Sequence, residues 1–292
     1  MNVEELKGKT VLITGANSGL GYALAEHLLK AQANIIMLCR ELRRAEEARL
    51  KLLTLFPKGK VGLIRMDLSS LTSVHNAAEE VLAGANKPDY IVNNAGKMFG
   101  PYMVTEEGVE SQFGVNYLGH LALMKFLFPL FQEGGVGRVV NVSSIAHRWF
   151  PFEFRNILQS AHYHPVRNYS HSKLANLLLS RSLNKAFQGM GISTVAVNAH
   201  PGISRTNIGR NLPQWMVPVA LRFGQSPEAG ALPIMLALTD AEATGGDCYG
   251  PAGFQQWFGG AQKVEVGASA HDDRLAAALW EWGIELIEGK SI

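Results

Sequence analysis

The chain has 292 residues, is 47% hydrophobic and 18% charged, and carries a formal net charge of +2. This is ordinary globular composition with apolar material for a large core, and the near-neutral charge gives no reason to expect nucleic acid. Its two cysteines, Cys39 and Cys248, are too few and too far apart for a secreted disulfide scaffold, so both are expected to be reduced core residues.

In chain order, apolar runs predict strands at Thr10–Thr14, Asn34–Cys39, Lys60–Met66, Asp89–Asn93, Arg138–Ser143, Ser193–Asn198 and, on a weaker pattern, Cys248–Gly250. Amphipathic runs between them predict helices over Leu20–Ala31, Leu42–Leu55, Ser70–Gly84, Thr105–Phe131, Ser170–Gln188, Pro227–Leu238 and Asp272–Leu286. The early strands are continuously apolar, as when helices cover both sheet faces. Repeated βα units imply right-handed crossovers and a doubly wound, parallel α/β sheet. No linker or repeat divides the chain, so residues 1–292 are expected to form one domain. Two segments break the alternation: 145–168, aromatic and irregular, and 203–225, apolar but interrupted by Pro213 and Pro218. Long irregular stretches in a compact domain are usually lids or binding loops. The N-terminus, MNVEELKGKT, has no apolar signal region. The most apolar segment, LGHLALMKFLFPLF, contains His120, Lys125 and Pro129 and is too short to span a bilayer. A cytoplasmic location is the expectation, with peripheral contact to a membrane left open.

The stretch TVLITGANSGLGYALAEHLL, Thr10 to Leu29, carries the first functional signal. Its glycines follow a predicted strand and open a predicted helix. Gly15 permits a tight turn, Gly19 lets the backbone approach a diphosphate, and Gly21 lets helix and strand pack closely. The helix start adds free N–H groups and a positive dipole end. Thr14, Gly15, Asn17, Ser18, Gly19, Leu20 and Gly21 are therefore the candidate phosphate cradle.

TGANSGLG resembles the cofactor motif of the short-chain dehydrogenase/reductase family. Further motifs agree in order: Asp67-Leu68, Asn93-Asn94-Ala95-Gly96, Asn116, Ser143-Ser144, Tyr169-Ser-His-Ser-Lys173 and Pro201-Gly202. The resemblance implies a Rossmann domain with strand order 3-2-1-4-5-6-7 that transfers hydride between a nicotinamide cofactor and a carbonyl or alcohol. It implies that Asp67 and Leu68 hold the adenine, that Asn93, Ala95 and Gly96 line the ribose and the middle of the cofactor, and that Pro201, Gly202 and Thr206 surround the nicotinamide and diphosphate. It assigns Tyr169 as acid/base. Lys173 binds the nicotinamide ribose and lowers the tyrosine pKa, Ser144 polarises the carbonyl, and Asn116 holds a water in a relay to the lysine. Tyr169 and Lys173 stand at i and i+4, on one helix face. At the end of the second strand an acid binds a ribose 2′-hydroxyl and a basic residue accommodates a 2′-phosphate; here Arg40 stands there, favouring NADP(H) over NAD(H), with Glu41 adjoining it.

Ser144 and Tyr169 are separated by a long insertion, and VVNVSSIAH, NYLGHLAL and LCR resemble the retinol-dehydrogenase-like branch. The expected substrate walls are residues 97–103, then Trp149, Phe150 and Phe152, then the loop with Trp215, Met216, Val217 and Phe223, an apolar set suited to a retinoid, steroid, lipid aldehyde or aryl ketone. His162 and His164 lack a third ligand of suitable spacing, so no metal is expected. The family resemblance leaves a homo-oligomer open. The alternatives are a non-catalytic cofactor-binding scaffold on the same fold and a nucleotide-sugar epimerase or dehydratase.

Overall fold

In strand β1 (Thr10–Thr14) all five residues are buried, because helices cover both faces of the sheet it belongs to. Adjacent residues then point to opposite sides. Leu12 joins one apolar cluster while Val11 and Ile13 join another, and Ile91/Val92 and Val139/Val140 divide the same way. The computed structural model describes residues 2–158, 160–203 and 224–289.

The other strands are β2 (Asn34–Cys39), β3 (Val61–Arg65), β4 (Tyr90–Asn93), β5 (Arg138–Val142), β6 (Val195–Ala199), β7 (Cys248–Pro251) and β8 (Ala261–Lys263). They form one sheet in the order 3-2-1-4-5-6-7-8, parallel except for the last pair. One face carries α1 (Gly19–Lys30) and α2 (Leu42–Leu55). The other carries α3 (Leu71–Ala83), α4 (Gly119–Phe126) and α5 (Phe128–Gln132), followed by the long α6 (Pro165–Gly189). Helices α7 (Pro227–Thr239) and α8 (Asp273–Ile287) complete the first and second face respectively. Strand order reverses between β1 and β4, which opens a crevice at the carboxyl ends of the strands.

Most bounds agree to within two residues, but two helical runs depart further and one strand was not expected. The run expected as one helix over Thr105–Phe131 starts only at Ser111 and is broken by a π-helical turn, Gly114–Leu118, before α4, with α5 set off by Pro129 in its first turn. Helix α6 begins at Pro165 rather than Ser170. Proline suits the first turn because its missing N–H would be unpaired there, and His164 Nδ1 caps the helix by accepting from Arg167 N–H. Strand β8 was not expected: AQK is short and largely exposed and pairs antiparallel with β7. Both cysteines are buried and free. Among the described residues no helix is long and apolar enough to cross a membrane.

Candidate active site

A cleft of about 580 Å³ lies across the strand ends at the β1/β4 reversal. Its floor is the loop between β1 and α1. Gly15 (φ +68°) and Gly19 (φ +53°) adopt left-handed backbone that a side chain would strain. A Cβ on Gly21 would lie 2.5 Å from Gly15 O and 2.6 Å from Asn94 Nδ2, so only glycine lets α1 sit this close. Ser18 caps α1 without a side-chain hydrogen bond, which leaves the first-turn N–H groups for a ligand. Asn17, Ser18 and Leu20 line the same floor.

Thr14 lies beneath this floor, fully buried. Its hydroxyl accepts from Asn94 N–H at 2.9 Å and Ala95 N–H at 2.8 Å, which fixes the Ala95–Gly96 ledge against the glycine loop. At the far end, Arg40 is exposed, with Nε 3.6 Å from Glu41 and 4.0 Å from Asp67. Asp67 accepts from Ser69 N–H and Ser69 O–H, while Ser70 caps α3. Asp67, Leu68, Ala95, Gly96, Pro201 and Gly202 all line the cleft. Asn93 does not. Its Nδ2 donates to Asn141 Oδ1 at 2.8 Å, the start of a buried polar ladder that continues through Ser180 to Asn198.

The candidate catalytic side chains converge above the ledge. Ser144, Tyr169 and Lys173 line the cleft together, and Ser144 hydrogen-bonds to the Tyr169 hydroxyl. Ser143, which strand alternation turns to the opposite side from Ser144, donates to Lys173 O at 2.7 Å. Lys173 Nζ lies 5.8 Å from the centre of the Tyr169 ring and donates to Val142 O at 2.9 Å. Burial pushes Tyr169 up to about 12, only partly offset by Ser144, and pushes Lys173 down to about 8. The sequence led us to expect a tyrosine lowered toward neutrality by the ammonium. Here desolvation dominates, with the Ser144 hydrogen bond opposing it.

Asn116 sits behind Gly96, in the π-turn. Its Oδ1 accepts from Lys97 N–H at 2.7 Å, and its Nδ2 donates to Lys97 O at 3.0 Å and Ser172 Oγ at 2.9 Å. A Cβ on Gly96 would lie 3.1 Å from Asn116 Oδ1 and 3.4 Å from Lys173 Nζ, so glycine brings all three together.

Beyond Tyr169 the walls turn apolar, with Met98, Phe99, Trp149, Ile203 and Trp257. The Phe99 ring meets Tyr169 edge-on at 5.0 Å. Phe152, expected in this wall, packs instead on Phe113 and His171 in the core. Thr206, Trp215, Met216, Val217 and Phe223 lie outside the described residues. Trp257, Arg44 and Val115 line the cleft without having been singled out from the sequence. Trp257 belongs to a segment with no regular pattern, whereas Arg44 lies one turn beyond Arg40 on α2 and was legible in principle.

The family model for the short chain dehydrogenases matches residues 9–217. The chain is 38% identical to retinol dehydrogenase 14 of Mus musculus, over 94% of this chain and 85% of that protein. It superposes on a crystal structure of an uncharacterized protein from Mycobacterium Paratuberculosis with a TM-score of 0.80 at 34% identity, covering 99% of this chain and 97% of that one. It also superposes on the Pseudomonas aeruginosa RhlG/NADP active-site complex with a TM-score of 0.65 at 25% identity, covering 85% and 96%. Sequence and fold similarity thus run across nearly the whole length, and the chain belongs to the short-chain dehydrogenase family of oxidoreductases, in its retinol-dehydrogenase-like branch.

Proposed function

We propose that the protein is an NADP(H)-dependent reductase of apolar carbonyl compounds, in the class of retinoids, steroids, lipid aldehydes or aryl ketones, and that it works in the cytoplasm. The observation that carries this reading is the meeting of a phenol, a hydroxyl and an ammonium at the one point where the glycine cradle ends and the apolar wall begins. The cradle offers backbone N–H groups to a diphosphate, and Arg40 offers a guanidinium to a 2′-phosphate. The NADP complex of the similar Pseudomonas aeruginosa structure supports that choice.

When bound, the cofactor supplies the hydride. The chain's own residues do the rest. Met98, Phe99 and Trp149 hold the apolar substrate and exclude water. Ser144 O–H polarises the carbonyl oxygen. Tyr169, whose burial keeps it a neutral phenol at ordinary pH, gives its proton to that oxygen as charge develops. Lys173, a cation below about pH 8, stabilises the phenolate left behind. In oxidation the same atoms run in reverse and Tyr169 must first lose its proton, so a high tyrosine pKa favours reduction.

The test is a fluorescence titration with NADPH and NADH, followed by absorbance assays on retinal, steroid and aryl-carbonyl panels. Tighter NADPH binding with oxidation by one panel supports the reading. Binding without turnover on any panel replaces it with the scaffold, and turnover that returns the cofactor unchanged replaces it with an epimerase or dehydratase.

A further inference from the structure

His120 touches neither the cleft nor solvent; it is 1% exposed in the wall behind Gly96. Its Nε2 lies 2.9 Å from Thr14 Oγ1 and its Nδ1 lies 2.9 Å from Asn116 O. Counting lone pairs fixes the proton. Thr14 Oγ1 already accepts two backbone N–H groups, those of Asn94 and Ala95. A hydroxyl has two acceptor positions and one proton, so its O–H donates to Nε2. That nitrogen is therefore bare, Nδ1 carries the proton, and Nδ1–H donates to the Asn116 carbonyl. One neutral tautomer satisfies every atom, and burial holds the ring neutral, its pKa pushed down to about 4.

The chain of bonds continues past Asn116. Its Nδ2 donates to Ser172 Oγ at 2.9 Å, and Ser172 O–H donates to Tyr169 O at 2.8 Å. An unbroken path thus runs from the Ala95 ledge through Thr14, His120, Asn116 and Ser172 to the backbone of Tyr169. We propose that His120 is a positioning residue that locks the cofactor ledge and the catalytic helix α6 into one register. Asn116 needs such an anchor because it lies in a π-turn, where the regular helical hydrogen-bond pattern is interrupted. A tilt of Asn116 is felt at Gly96, where a Cβ would lie 3.1 Å from Asn116 Oδ1 and 3.4 Å from Lys173 Nζ. His120 acts through Asn116 and Tyr169 and never meets substrate.

The proposal rests on the reading of Tyr169 and Lys173 as the proton-transferring pair, but two of its tests do not. In long-range proton–nitrogen spectra of the histidine-labelled protein, the resonance that disappears in His120→Gln must be a neutral ring protonated at Nδ1. A ring protonated at Nε2, or a titrating ring near neutral pH, overturns the assignment. In a double-mutant cycle, Thr14→Val and His120→Phe must be non-additive in NADPH affinity; additive losses overturn the link. In kinetics, His120→Phe is expected to lower kcat by about 10- to 100-fold with little change in carbonyl KM. His120→Gln, which keeps an N–H donor and an acceptor, is expected to recover most of that loss. A KM effect alone, or no recovery, overturns the positioning role. If His120→Phe does not fold, His120→Leu, which also removes both ring hydrogen bonds, replaces it in the cycle. A wild-type protein inert on every carbonyl defeats the functional reading, while the spectra and the cycle still decide on His120.

Discussion

Tyr169 carries two opposing demands. Its hydroxyl must be deeply enough placed to meet a carbonyl away from water, yet burial pushes its pKa up to about 12. On the proposed mechanism, a phenol that burial keeps protonated serves as the proton donor. Replacing it by Phe removes the acid but none of the cradle, so Tyr169→Phe is expected to cut turnover by about 10²- to 10⁴-fold while NADPH affinity stays near wild type; stopped-flow turnover and a binding titration check both halves. The lysine gives the pH dependence its sign. Lys173, held down to about 8 by burial, is charged below that pH and neutral above it. Reductive kcat is therefore expected to be level at lower pH and to fall as pH rises through about 8, because the cation that stabilises the phenolate is lost; a kcat profile at saturating NADPH that climbs through this range contradicts the mechanism. At the cradle's far end, on the proposed NADP(H) reading, Arg40→Ser would remove a charge-assisted contact to the 2′-phosphate. It is expected to weaken NADPH by roughly 10- to 100-fold and leave NADH unchanged, which paired titrations resolve. At this scale the sequence was most legible where chemistry demands a residue type: Gly15, Gly21, Ser144, Tyr169 and Lys173. It was least legible where a role depends on partners distant in the chain. Asn93 stands at a strand end like its neighbours, yet its side chain turns to Asn141 rather than to the cleft, and nothing local distinguishes those two orientations.

Helix α6 is an unusual helix to bury. Asn168, Ser170, Ser172, Lys173, Asn176 and Ser180 are all shielded from water; polar atoms of the sheet meet Lys173, Asn176 Nδ2 and Ser180, while Ser170 Oγ and Asn176 Oδ1 are buried without a hydrogen-bond partner among the described residues. Val142 O receives both Lys173 Nζ and Asn176 Nδ2, and Ser180 Oγ sits between Asn141 and Asn198. This polar seam sets the helix rotation that aims Tyr169 and Lys173 into the cleft. Periodicity of apolar residues does not reveal it, which is why the expected start of α6 fell after Tyr169 and the π-turn was read as plain helix. Ser180→Ala leaves Asn141 Nδ2 and Asn198 Oδ1 without their shared partner. It is expected to cost about 1–3 kcal/mol, measured as a lower denaturation midpoint with an unchanged slope. A midpoint equal to wild type shows that the seam does not contribute stability.

Across the whole molecule, seven strands and their parallel pairing were legible in continuous apolar runs separated by amphipathic ones, whereas their order was implied by the resemblance of the motifs to the family. Strand β8 was not, since three mostly exposed residues carry no burial signal. A second property of the whole chain hides in its histidines. Four of the nine, His120, His147, His171 and His200, are buried and have pKa values pushed down to about 4. Each is held by hydrogen bonds that suit the neutral ring: His147, for example, accepts from Gly267 N–H at 2.9 Å and faces Ser144 O at 2.7 Å. In the unfolded chain they would titrate near 6.5. Between that value and about 4 the unfolded state binds more protons, so stability rises with pH across this window. The contribution is fully present above the unfolded value and is lost as pH falls toward the folded one. Between pH 7 and pH 5 the loss is expected to be roughly 1–2 kcal/mol for each such histidine, before most carboxylates begin to protonate. Urea unfolding at a series of pH values reads this directly. A free energy that holds constant from pH 7 to pH 5 means that the four rings are not held neutral. A decline in that interval, reduced in His171→Gln, whose ring pairs with Pro151 O, places part of the acid sensitivity in the buried imidazoles.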